Sequence, residues 1–123
     1  MRRGERSMPS RLPKHLFDAL TALRLARQFS QGLSLDAFVS DVLVRSAIER
    51  QLEILGEACQ RLVQADADIR RRVPETGFAI GLRNKIIHGY DRIESAVVYD
   101  TLMHDLPVLE VQLSAELAKL PPP

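Results

Sequence analysis

The stretch Arg83-Asn84-Lys85-Ile86-Ile87-His88-Gly89-Tyr90 gathers the only dense set of chemically able side chains in a chain otherwise rich in Leu, Ala, Val and Arg. Arg83 carries a permanently charged planar fork that suits phosphate oxygens. His88 is the side-chain type that both gives and takes a proton near neutral pH. The chemistry these two offer is phosphate binding and proton transfer. Ile86 and Ile87 lie between them and tie the segment into a core, so the polar groups ride on a packed element. At about 100° per residue in a helix, Asn84 and His88 share one face. Arg83 and Tyr90 lie nearly in register on another, roughly 140° from His88. One straight helix does not bring Arg83 and His88 head on; they flank one groove, and Gly89 permits a bend that turns the imidazole toward it.

The elements that must position this stretch read as helices. Pro13 fits a first helical turn, and Leu16, Leu20, Leu23 and Ala26 or Arg27 recur at three- and four-residue spacing in a helix that runs to about Gln31 and stops at Gly32. Ser34 with Asp36 starts a short helical turn that feeds directly into the next element. From about Asp41 to Ala65, Val44, Ile48, Leu52, Leu55, Cys59 and Leu62 form the strongest apolar stripe of the chain. Gly56 in its interior costs about 1 kcal/mol relative to Ala, which points to another backbone approaching there. Residues Asp66 to Thr76 read as a helix end and a loop, with Pro74 pushing Val73 out of the helical region. A shorter helix then buries Ala79, Leu82 and Ile86. Asp91, followed three residues on by Glu94, starts a last long helix with a seam of Val98, Leu102, Leu106, Leu109, Leu113, Leu117 and Leu120, in which Pro107 should introduce a kink. No segment alternates with a period of two, so the fold class expected is an all-α, up-and-down bundle of four to five helices.

At 123 residues the chain is long enough for one domain with a core of its own, expected over residues 12–120, with a flexible basic leader at 1–11 and a tail at 121–123. Met8 offers an alternative start. Cys59 is the only cysteine, which rules out an intrachain disulfide and favours a reducing, cytoplasmic setting. It reads as a small buried hydrophobe rather than a reactive thiol. No apolar run is long enough for a signal h-region or a membrane span. A net charge of +1 does not by itself announce a nucleic-acid binder, so positive surface must come from local clusters such as Arg2, Arg3, Arg6 and Arg11, or Arg70 to Arg72. His15 and His104 lack the partners a zinc site needs.

Arg83-Asn84-x-x-Ile87-His88-x-Tyr90 resembles the R-x-x-x-x-H-x-Y pattern of the HepT-like members of the HEPN superfamily. Leu52-Glu53-Ile54-Leu55-Gly56-Glu57-Ala58 and Asp105-Leu106-Pro107 match the same family at the right separations, so that the resemblance spans about residues 10 to 118. The resemblance implies a HEPN-like homodimer in which two such motifs line one cleft, and a metal-independent endoribonuclease that needs no cofactor. It further implies a toxin encoded beside a minimal nucleotidyltransferase (MNT) antitoxin, acting on RNA such as tRNA or mRNA. On that pattern His88 and Arg83 are the catalytic pair, Asn84, Tyr90 and Glu57 support them, and Tyr90 is the tyrosine that the antitoxin would silence by AMPylation. The alternative is a non-catalytic subunit that binds the nucleotidyltransferase and presents a substrate to it. Gly89 stands where many relatives carry a larger, often acidic residue, and Arg50 where an Asn is common.

Overall fold

The apolar stripes anticipated from spacing become the contact surfaces of an all-α bundle in a computed structural model that describes residues 11–121, apart from the side chains at 92 and 93. Most of the expected leader and the end of the tail, residues 1–10 and 122–123, lie outside the described residues. Four helices of thirteen residues or more carry the bundle: α1 (Leu12–Phe29), α3 (Val42–Ala65), α5 (Glu75–Ile87) and α7 (Leu106–Ala118). Shorter pieces join them: α2 (Leu35–Ser40), a single turn α4 (Ile69–Arg72), and α6 (Arg92–Asp100). No strand occurs among the described residues.

Helix α3 is the central member, packed on α1 along one side and on α5 along another, while α7 lies against α1. Leu16, Leu20 and Leu23 of α1 meet Ile48, Leu52, Leu55, Cys59 and Leu62 of α3, all at 2 % exposure or less. Burying each Leu or Ile contributes roughly 1.5–3 kcal/mol, so this seam is a major contributor to the stability of the domain. The α7 seam of Leu106, Leu109 and Leu113 closes the same core, and Phe38 of α2 fills its end, its ring 6.0 Å from that of Tyr99.

Helix boundaries follow local chemistry, with three corrections to the sequence reading. Helix α1 ends at Phe29, not near Gln31: the Ser30 hydroxyl donates to the Arg27 carbonyl and Gly32 takes φ +73°, a conformation only glycine adopts without strain. The loop expected from Asp66 to Thr76 contains the α4 turn and the start of α5. Val73 leaves the helical region (φ −129°, ψ 76°) as Pro74 requires, but Pro74 itself is helical, because a proline at a helix start gives up an N–H that has no partner there. The long last helix is broken into α6 and α7 by a five-residue π turn, Thr101–Asp105, in which the Leu106 N–H reaches back to the Thr101 carbonyl. Pro107 then falls in the first turn of α7, so the helix absorbs the missing donor by widening upstream rather than by a simple kink. The expected starts at Ser34 and Asp91 hold: Ser34 caps α2 through the Ala37 N–H (3.1 Å) and Asp91 caps α6 through the Glu94 N–H (3.0 Å), while Asp41, expected as the first residue of α3, is its cap and accepts from the Val44 N–H (3.1 Å).

Arg72 joins the α3–α5 connection to α7. Its guanidinium lies 2.8 Å from Asp66 and 3.0 Å from Glu116, and Lys119 reaches Glu116 at 2.9 Å. The hydrogen bond from Arg72 holds both carboxyls below their usual range, against the opposing effect of burial. Because these folded-state values are depressed, their stabilisation is present above the ordinary carboxylate range near pH 4 and is lost as pH falls through the lowered values. Removing the cation in Arg72→Ala is expected to lower the melting temperature at pH 7 and to shrink the loss between pH 5 and 3. Melting curves of both proteins across that range check it.

Candidate active site

Arg83 owes its place to Gly56. Helices α3 and α5 approach so closely at this point that a Cβ on Gly56 would lie 2.4 Å from the Arg83 Cβ and 2.7 Å from the Ala79 carbonyl oxygen. Buried Ala79 and Leu82 press α5 onto α3 on either side of the contact. The Arg83 side chain, 25 % exposed, therefore emerges along the α3 surface, where Nη2 lies 3.9 Å from Glu57 and Nη1 donates to the Asn84 side-chain oxygen at 3.4 Å. Both contacts are long and engage two of the five donors of the fork. Glu57 also pairs with Arg61 at 3.1 Å, so one carboxylate stands between two guanidinium groups. A cleft of about 300 Å³ opens here, lined by Glu57, Gln60, Arg61, Gln64 and Arg83.

His88 is the C-cap of α5. Its backbone N–H closes the last turn on the Asn84 carbonyl at 3.1 Å, and Gly89, at φ +82°, ends the helix. The imidazole is exposed, and no side chain among the described residues holds it by a hydrogen bond or ion pair. It stands five positions from Arg83, an axial rise of roughly 7.5 Å. No hydrogen bond joins the two side chains, whose partners are Asn84 and Glu57 for Arg83, in keeping with the divergence expected from helical register.

Tyr90 departs from that register. The turn at Gly89 takes it off the helix and back against α3, where its hydroxyl donates a hydrogen bond to Glu49. Glu49 and Glu57 are eight residues apart on α3, roughly 12 Å along its axis. The Tyr90 hydroxyl and the Arg83 guanidinium thus face different parts of α3 and not one shared face. Tyr90 lines a second cleft of about 330 Å³ with Val39, Arg45, Glu49, Ile86, Asp91 and Ser95. Burial, and then the carboxylate of Glu49, raises the phenol pKa above its ordinary value, so it stays a protonated donor. Glu49 and Arg45 were not singled out from sequence. Their signal was the i, i+4 pairing of opposite charges on α3, seen here at 3.8 Å.

The remaining candidates are scaffold. Cys59 is fully buried and burial pushes its thiol up to about 12, which leaves it unreactive at neutral pH. Exposed His104 pairs with Asp100 at 2.9 Å within one helical turn. Arg71 and Arg72 of the basic run are paired with Asp68, Asp66 and Glu116. No three His, Cys, Asp or Glu side chains cluster as metal ligands among the described residues, and no helix there is long and apolar enough to cross a membrane.

Arg83, Asn84 and His88 thus stand along the last turns of one helix of an all-α bundle, with Gly56 and Glu57 on the helix packed against it. Residues 19–116 match the family described as ribonuclease HepT-like. A protein of Caldanaerobacter subterraneus subsp. tengcongensis named "Putative RNase TTE0752" is 34% identical over 89 residues, covering 72% of this chain and 79% of its own. The "Probable ribonuclease HepT" of Thermococcus cleftensis is 30% identical over 98 residues, 78% of this chain and 86% of its own. The "Putative RNase MJ0125" of Methanocaldococcus jannaschii is 27% identical over 106 residues, 84% and 89% of the two chains. No solved structure matches. The chain belongs to the HepT-like ribonuclease family, a class of endoribonucleases.

Proposed function

We propose that this ribonuclease is the toxin of a HEPN/MNT toxin–antitoxin module, and that it cuts RNA with His88 as acid/base and Arg83 as phosphate clamp, without a metal. The observation that carries the reading is the pairing of a guanidinium with most of its donors uncommitted and an exposed imidazole at the end of the same helix. RNA supplies its own nucleophile. A neutral imidazole takes the proton of the 2′-hydroxyl, and the 2′-oxygen attacks the adjacent phosphorus. The phosphorus–O5′ bond breaks, giving a 2′,3′-cyclic phosphate, while an imidazolium returns a proton to the leaving 5′-oxygen. Arg83 meets the negative charge that builds on the phosphate oxygens, and Asn84 steadies the guanidinium. Because Arg83 and His88 diverge on one chain, the cleft belongs to a homodimer in which each motif completes the other.

An MNT nucleotidyltransferase silences the enzyme in this reading by adding AMP to Tyr90. The half-buried phenol must leave Glu49 to receive it. The protein works in the cytoplasm.

Cleavage of end-labelled RNA, with and without EDTA, tests the chemistry. The wild-type protein is expected to cut equally in both, and Arg83→Ala to lose roughly 10²–10³-fold in kcat, as when a preorganised donor to the transition-state charge is removed. Full dependence on added metal, or wild-type rates in a folded Arg83→Ala protein, would refute it. A protein that cuts nothing yet gains mass with ATP and the nucleotidyltransferase would be the binding subunit instead.

A further inference from the structure

No side chain among the described residues holds His88, so its position is that of the turn that carries it, and that turn is pinned from both sides. On one side it closes α5, through His88 N–H to Asn84 at 3.1 Å and Gly89 N–H to Ile86 at 3.2 Å. On the other, Tyr90 is fastened to α3 by its hydrogen bond to Glu49. Asp91 follows as the cap of α6, and Lys85 bridges α5 to Glu94 at 3.0 Å. The Glu49 carboxylate is itself held: Arg45, one helical turn earlier, lies 3.8 Å from it and donates to the Val39 carbonyl at the end of α2. These side chains are inward-facing, Arg45 at 28% and Glu49 at 22% exposure.

From this geometry we infer that Glu49 is a positioning residue for catalysis: through the Tyr90 hydroxyl it latches the His88–Gly89–Tyr90 turn to α3 and so sets where the imidazole stands. This rests on His88 as the acid/base group. Glu49 touches no reacting atom. Gly89 makes the latch necessary, because a glycine at positive φ is the joint of the turn with the most backbone freedom to lose. A nucleotidyl group on the Tyr90 oxygen would replace the donated hydrogen and set a phosphodiester charge beside Glu49, so modification would release the same turn.

Four variants test the latch: Glu49→Ala, Glu49→Gln, Tyr90→Phe, and the double Glu49→Ala/Tyr90→Phe. Glu49→Ala and Tyr90→Phe are each expected to lower kcat roughly ten- to a hundredfold, the scale of an ångström-sized misplacement, with KM little changed. The double variant should be no worse than either single, since both cut one link. Glu49→Gln keeps a carbonyl acceptor for the phenol and should recover most of the rate. Amide exchange at His88 and Gly89, whose N–H groups close the turn on Asn84 and Ile86, should quicken in Glu49→Ala and Tyr90→Phe but not in Glu49→Gln. Wild-type exchange and kcat in Glu49→Ala, or a double variant whose loss is the product of the two singles, would overturn the latch. Wild-type cleavage by His88→Ala would instead overturn the acid/base reading, while the exchange data still judge the latch.

Discussion

His88→Ala is expected to slow RNA cleavage by orders of magnitude while leaving the melting temperature where it was. Proton transfer by a positioned side chain contributes about 10²–10⁴-fold, so kcat should fall by that much at saturating substrate. Stability should hold because the ring is exposed and the hydrogen bonds that cap α5 at this residue are main-chain bonds that alanine keeps. Few active-site substitutions separate the two quantities so cleanly. Single-turnover cleavage and thermal melting on the same preparation check both halves. An oligonucleotide lacking the 2′-hydroxyl at the cut position should resist the wild-type enzyme, since the nucleophile belongs to the substrate. A folded His88→Ala protein with wild-type activity would remove the imidazole from the mechanism.

Gly56→Ala should damage stability and activity together. In an isolated helix the change would stabilise by about 1 kcal/mol, because alanine is the better helix former. Here the new methyl would lie 2.4 Å from the Arg83 Cβ and 2.7 Å from the Ala79 carbonyl oxygen. Neither atom is the loose end of a side chain, so α3 and α5 must separate. Overpacking of this kind costs roughly 1–3 kcal/mol and sometimes more, enough to outweigh the propensity gain. The same displacement moves the base of Arg83, and kcat should fall with stability. Gly81 is the control: it lies in α5 with nothing within 4 Å of the added carbon, so Gly81→Ala should be neutral or stabilising by up to about 1 kcal/mol. Denaturant melts and cleavage rates of the two variants measure the contrast. Equal behaviour would mean that the close approach at Gly56 does not hold the site.

Much of this arrangement was legible before any coordinates. The stripe from Ile48 to Leu62 and the seam from Leu102 to Leu113 follow from spacing, and the helix starts at Ser34 and Asp91 and the close approach at Gly56 from residue type, and each is where it was expected. Helical periodicity is a local property: it states which side chains share a face of an element, and burial of that face then follows. The same arithmetic showed that Arg83 and His88 diverge. Carried past His88, it would set Tyr90 in register with Arg83, but Gly89 turns the chain at φ +82° and Tyr90 reaches Glu49.

The sequence by itself determined the types of group available, the helices that carry them and the face each helix buries. Tertiary structure alone decided that Arg83 rises over Gly56 toward Glu57, that Tyr90 reaches Glu49 across 41 residues of chain, and that Arg72 joins Asp66 to Glu116. Those contacts depend on how far apart two packed helices lie and on where one backbone reverses. Neither distance nor reversal is encoded in the period of a single helix, so a site built between helices becomes visible only when they are packed together.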